Sequence, residues 1–134
     1  MREILLVRFG EVFLKGQNRP FFMKKLMDHI RQAVRPVNGR VWMSEGRFYV
    51  SDFTDMDECI RHVTCVFGVH SVSPAIEMDK DNFEAICEQA ARMMEPLSGT
   101  FKVLARRSDK RYPLDSPAIM REAGSYILDH VPQL

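Results

Sequence analysis

The sequence is short of the residues on which much enzyme chemistry depends. Its 134 residues include three cysteines, Cys59, Cys65 and Cys87, and none forms the close pair that a zinc site or a redox dithiol requires. Each falls in a predicted helix beside apolar neighbours, so all three are read as buried thiols in a reducing compartment. His62 and His70 stand at no useful spacing from another ligand type and read as surface or half-buried histidines. No glycine-rich phosphate loop follows a strand, and no convergent set of acids, bases or ligands is evident, which points away from catalysis by this chain alone. Long apolar runs are missing too. The first, Ile4-Leu5-Leu6-Val7, is broken by Arg8 and is too short for a signal peptide or a membrane span, so the expectation is a cytoplasmic protein with no membrane partner.

What is present suits a soluble, packed chain of one ordinary domain or two small ones. Apolar residues make up 46%, aromatics 10% and charged residues 28%. The net charge of +1 conceals a strong segregation along the chain. Residues 1–51 carry ten Lys/Arg against four Asp/Glu, residues 52–95 three against ten, and residues 96–134 six against four. A polyanionic partner would therefore meet the first and last segments.

The run from Arg8 to Phe22 joins a first strand to a long amphipathic helix. Gly10 and Gly16 open backbone angles closed to other residues, and Pro20 suits a first helical turn. Lys15, Asn18 and Arg19 beside a helix start have the parts of a phosphate contact. A plain alternative has Asn18 capping the helix with Lys15 and Arg19 in solvent. Phe22, Leu26, Ile30, Ala33 and Val34 then recur at helical spacing until Pro36.

Arg40–Ser44 and Arg47–Ser51 flank Glu45-Gly46 as a hairpin, which sets Met43 opposite Phe48 and Val41 opposite Val50 on a core face. Trp42 lies opposite Tyr49 on the other face, beside Arg40 and Arg47. That pair suits packing against another domain or stacking on a nucleobase. Thr54-Asp55-Met56-Asp57 has capping-box spacing for a second helix through Cys59, Ile60, Val63 and Phe67, ending near Gly68, and Val69 begins a fourth strand. Strand, helix, strand, strand, helix, strand is the split βαβ order of a ferredoxin-like α+β domain, placed at 1–78.

Residues 79–134 read as helix, strand, helix. Asp81-Asn82-Phe83-Glu84 repeats the capping spacing, and Pro96 and Gly99 stop that helix. Phe101–Ala105 alternates as a strand, and Ser116-Pro117 opens a last helix through Ile119, Met120, Ala123, Ile127 and Leu128. Within residues 102–121, Lys102, Arg106, Arg107, Lys110, Arg111 and Arg121 outweigh Asp109 and Asp115.

The run Arg8-Phe9-Gly10-Glu11, Leu14-Lys15-Gly16 and Asn18-Arg19 resembles the opening of the tRNA 4-thiouridine synthetase family, where a strand ends in Arg-Tyr-Gly-Glu. Phe9 replaces the family's Tyr and lacks its hydroxyl. The run Phe101 to Leu114, with Ala105-Arg106-Arg107-Ser108-Asp109-Lys110 at its centre, is similar to the first half of a THUMP domain, the second domain of that family. The resemblance covers nearly the whole chain. It implies a ferredoxin-like domain followed by a C-terminally truncated THUMP domain, whose further strands and PP-loop catalytic domain lie outside this sequence.

The resemblance further implies a tRNA sulfurtransferase that makes 4-thiouridine at position eight of tRNA and supplies sulfur for the thiamine thiazole. No cofactor is expected in this chain; ATP and Mg belong with the PP-loop domain, and a cysteine desulfurase is the implied sulfur donor. This part would bind the acceptor stem and CCA end of tRNA. The candidate contacts are Arg106, Arg107, Lys110, Arg111 and Arg121, with Lys15 and Arg19 extending the surface. Solvated charge, with Asp109 locking Arg107 or Arg111, is the alternative for each. A protein-interaction or regulatory ferredoxin-like module is the competing class. An RNA-recognition-motif reading rests on Trp42, Tyr49 and Gly46-Arg47-Phe48-Tyr49-Val50, but Ile4–Val7 offers no stacking aromatic. A lone THUMP strand also has edges to cover, so a homodimer is expected.

Overall fold

The computed structural model describes residues 1–10, 19–107 and 109–134. The chain divides into two compact units, Met1–Met78 and Asp79–Leu134. In the first, β1 (Arg2–Phe9), α1 (Arg19–Val34), β2 (Arg40–Ser44), β3 (Arg47–Ser51), α2 (Met56–Thr64) and β4 (Val69–Glu77) follow one another. The four strands form an antiparallel sheet in the order β2-β3-β1-β4, the arrangement of a split βαβ fold.

Alternation along the strands decides which face is covered. Leu5 and Val7 of β1 and Phe48 and Val50 of β3 point to one side, and none has any exposure. Leu26, Ile30 and Val34 of α1 and Cys59 and Val63 of α2 complete that core. The chain turns sharply from α1 into β2 through one 3-10 turn at Arg35–Val37 and Asn38 at φ 60°. Gly39 follows because nothing larger fits: a Cβ there would stand 2.8 Å from Val34 Cβ and 2.9 Å from Val50 Cγ1.

The β2-β3 hairpin has the expected register, with Val41, Trp42, Met43 and Ser44 opposite Val50, Tyr49, Phe48 and Arg47. Glu45 and Gly46 both take positive φ, 56° and 74°, as a two-residue turn matched to strand twist demands. Met43 departs from expectation. It faces the core side but is half-exposed, because it lies at the turn end of an edge strand.

The second unit contains α3 (Phe83–Met94) and α4 (Ser116–His130), packed through Ala91, Ile127 and Val131. Phe101–Ala105 forms no strand. Its side chains do alternate, with Phe101, Val103 and Ala105 turned inward and Lys102, Leu104 and Arg106 outward, and Phe101 and Val103 join the helix core. Yet among the described residues no backbone hydrogen bond is made by residues 101–106. The segment has a strand's side-chain order without a ladder partner among the described residues.

Helix starts and ends differ in detail from the sequence pattern. Asp55, not Thr54, caps α2, accepting from the Glu58 N–H at 3.1 Å, while Thr54 bonds Val37 O. Asn82, not Asp81, caps α3 by accepting from the Ala85 N–H at 3.1 Å. In both cases a carboxylate or amide adjacent to the helix reaches the orphan N–H groups better than the residue before it. Helix α2 also stops at Thr64, so Phe67 projects outward instead of joining its apolar face. Phe22, one turn into α1, is exposed at 41% for a similar reason: the buried stripe begins at Leu26. No described helix is long and apolar enough to cross a membrane.

Cys59 and Cys87 are buried as expected, but Cys65 is exposed, because it follows the last residue of α2 and leaves the packed stripe. Burial pushes the Cys59 thiol up to about 11 from 9.0. Its contribution to folding is therefore complete below pH 9.0 and is lost as pH rises toward about 11. In thiol labelling of the native chain at mildly alkaline pH, Cys65 should react first, with Cys59 and Cys87 reacting only on unfolding. Equal native rates for all three would contradict the packing described.

Candidate nucleic-acid interface

The basic loop of the second unit is built by its ends. Asp115 caps α4 by accepting from the Ala118 N–H at 2.9 Å, and the next residue, Ser116, accepts the Arg107 N–H on its Oγ at 3.2 Å. The end of the extended segment is thus tied to the start of α4. Arg107 turns inward and donates from Nη1 to the Tyr112 carbonyl at 3.2 Å. The Tyr112 N–H in turn donates to Asp109 O at 3.1 Å. These bonds tie Arg107 to Tyr112 and Tyr112 to Asp109, while Arg106 and Lys110 are exposed and without a partner among the described residues.

Asp109 is the hub of this loop. Its Oδ1 accepts from the Arg111 N–H at 3.0 Å and from Arg111 Nε at 3.1 Å, and its Oδ2 accepts from Arg111 Nη2 at 3.4 Å and Lys80 Nζ at 2.9 Å. The Arg111 and Lys80 hydrogen bonds hold the Asp109 carboxyl well below the usual carboxylate range. The same bond raises the Lys80 ammonium above its ordinary value.

A cavity of about 250 Å³ opens here, lined by Lys80, Phe83, Ile86, Arg106, Arg107, Asp109, Tyr112 and Ile119. Phe83, Ile86 and Ile119 make its floor apolar, and Lys80, Arg106 and Arg107 make it cationic. Lys80, Asp109 and Tyr112 also line a second hollow of about 290 Å³ with Asp81, Arg111 and Pro113. An apolar floor, an aromatic ring and converging cations can receive one unstacked base with its phosphate; a duplex is too wide to enter.

Of the residues singled out in the sequence, Arg106 and Arg107 line the first hollow and Arg111 the second. Lys110 lies on the exposed turn between them, and Arg121 is exposed on α4, lining neither. Arg19 is the exposed first residue of α1, in the other unit, and Lys15 lies outside the described residues. Lys80, Phe83 and Tyr112 also line the first hollow, without a sequence signal that marks them as site residues. Lys80 sits within the acidic segment, where its charge is hidden by its neighbours'. Among the described residues no group of three His, Cys, Asp or Glu gathers as a metal site.

The aromatic face of the sheet is engaged with its own neighbours. Trp42 and Tyr49 stack at 5.5 Å between centroids and 20° between planes. The Arg2 guanidinium lies 5.3 Å from the Trp42 ring centre, and its Nε donates to Glu77 Oε1 at 2.7 Å. Arg8 donates to Ser73 Oγ at 2.7 Å. Two of the arginines on this face are thus already held by side chains of the sheet.

A family model described as the ThiI ferredoxin-like domain matches residues 4–73, and one described as the THUMP domain matches residues 80–134. A probable tRNA sulfurtransferase of Acetivibrio thermocellus is 42% identical over 143 residues, covering 100% of this chain and 36% of the relative. One from Alkaliphilus metalliredigens is 41% identical over 142 residues, covering 100% and 36%. The chain spans 36% of the length of these curated relatives. A crystal structure of a Pyrococcus horikoshii protein is similar with a TM-score of 0.78 and 31% identity, over 96% of this chain and 45% of that one. A 4-thiouridine synthetase crystallised with RNA and ATP is similar with a TM-score of 0.76 and 26% identity, over 100% of this chain and 35% of that one.

The cap that anchors the basic loop can be tested by itself. Replacing Asp115 with Ala should cost about 1 kcal/mol and speed amide exchange in the first turn of α4. Exchange at the wild-type rate would show that the cap does not hold this end of the loop.

Proposed function

Because the chain belongs to the ThiI ferredoxin-like family, with a THUMP domain following, we propose that it is the tRNA-binding N-terminal region of a tRNA sulfurtransferase. The observation that carries this reading is the cavity where Lys80, Arg106 and Arg107 surround the apolar floor of Phe83, Ile86 and Ile119. Its ligand is the unpaired CCA end of tRNA. One base lies on the floor beside Tyr112, while Lys80, Arg106 and Arg107 neutralise phosphates and Lys110, Arg111 and Arg121 follow the acceptor stem. Lys15 and Arg19 add phosphate contacts from the first unit.

In the whole protein, this region presents tRNA to a PP-loop domain that uses ATP and Mg to place sulfur at position eight, making 4-thiouridine. A cysteine desulfurase supplies the sulfur, which also serves thiamine thiazole synthesis, and the setting is the cytoplasm. The chain by itself performs binding, with no catalytic residue assigned to it. The alternative, a protein-interaction module without RNA, gives the three cations that line the cavity no task.

Titration of labelled tRNA with and without its CCA end, at two salt concentrations, tests the reading. Salt-sensitive binding that weakens when CCA is removed is expected. Replacing Arg106, Arg107 and Lys110 together with Ala should weaken binding and flatten the slope of log affinity on log salt by roughly 2, from about 0.7–0.9 per phosphate contact. Unchanged affinity and slope in that variant would remove the patch from the interface.

The backbone of residues 101–106, unpaired among the described residues, favours a second copy of this chain as a partner, pairing strand to strand along that edge. Sedimentation should show a dimer at high concentration. A strictly monomeric profile there would refute the pairing.

A further inference from the structure

Asp109 is out of place in a surface that attracts phosphate. Its carboxylate lines both hollows of the second unit, at the centre of the basic loop. It cannot be explained by stability. The Lys80 and Arg111 side chains that it holds are 61% and 90% exposed, and ion pairs at such exposure contribute little to folding. Nor does it switch within the working range of pH, since the Arg111 and Lys80 bonds keep it ionised well below the usual carboxylate range. What it does achieve is geometric. Lys80, in the turn ahead of α3, and Arg111, at the far side of the loop, are long side chains that repel each other. One carboxylate brings both to a common point, using Arg111 Nε, Nη2 and the backbone N–H on one side and Lys80 Nζ on the other.

That arrangement has two effects on an RNA. The negative charge repels a phosphate that approaches the loop from any direction, which lowers affinity for every RNA alike. The held ammonium and guanidinium are exposed and keep their remaining N–H donors, so a phosphate in the matching position meets partners whose positions the carboxylate has already set. Resting on the reading of this cavity as the site for the tRNA end, we infer that Asp109 is a specificity-determining residue, which gives up general attraction for phosphate in order to fix Lys80 and Arg111 for one RNA geometry. It acts through those two cations and is a positioning residue, without contact to the RNA of its own.

The test compares the 134-residue chain with its Asp109→Asn and Asp109→Glu variants, each binding intact tRNA and tRNA lacking CCA across a range of salt. Asp109→Asn should bind both RNAs more tightly at low salt, with a slope steeper by about 1–2 as two cations are released to phosphates. Its preference for the intact end should fall by about two- to fivefold, the range of an exposed ion pair. Asp109→Glu, which keeps the charge, should restore most of the preference. An unchanged preference in Asp109→Asn overturns the inference whatever the slope does, and so does a loss of affinity at unchanged slope, which marks a role in loop shape alone. Should Asp109→Asn fail to fold, Lys80→Gln with Arg111→Gln removes the held donors and leaves the carboxylate; it should lose the same preference, and retention overturns the inference. Absence of any binding by the wild-type chain sinks the functional reading, and the inference with it. A wild-type chain that binds as expected beside an Asp109→Asn chain with equal preference sinks the inference alone.

Discussion

Phe48 packed without exposure against Leu5, Val7 and Val50 is the contact on which the first unit depends. It sits in β3, between the edge strand β2 and the central β1, so its ring meets both helices' apolar stripes at the middle of the sheet. Losing it would remove a buried aromatic, a change that costs about 3–5 kcal/mol in comparable cores, a large part of a small domain's stability. The alternation that buries Phe48 necessarily turns Tyr49 the other way, onto Trp42. Core and outer face are two results of a single two-residue period.

The second unit rests on a different principle. Its two helices share a small core, and the basic loop is organised by polar contacts: Ser116 on Arg107, Tyr112 O on Arg107, and Asp109 between Lys80 and Arg111. Charged side chains are costly to bury, so the positions of these cations come from hydrogen bonds and ion pairs at the surface. Neutral and tightly packed elements supply the frame, and the loop's own backbone supplies the anchors.

Much of the frame is legible in the residues themselves. The hairpin register follows from Glu45-Gly46, which accept positive φ, and from the pairing of Val41 with Val50 that only this turn allows. The α1 stripe of Leu26, Ile30 and Val34 follows from 3.6-residue periodicity. The errors are local. Capping-box spacing at Thr54 and Asp81 points one residue early in each case, because neighbouring Asp55 and Asn82 offer equally good acceptors and spacing alone does not choose between them. Helical periodicity in the sequence runs on through Cys65 and Phe67, whereas α2 ends at Thr64 with no proline or immediate glycine to announce it. For the candidate site, charge along the chain exposes Arg106, Arg107 and Arg111 but hides Lys80, which joins them only through Asp109, 29 positions away. Contacts of that separation leave no periodic trace in a single sequence.

Residues 101–106 have one further consequence. Their side chains are already sorted, Phe101 and Val103 against the helices and Leu104 away from them, although among the described residues their amides and carbonyls have no backbone partner. A slip by one residue would bring Leu104 and Lys102 into the helix core and expel Phe101 and Val103. Any strand that docks along this edge therefore finds its register chosen beforehand by the helices beneath. The search that makes non-local strand pairing slow is reduced to bringing the edges together, and zippering can proceed from the first bond formed.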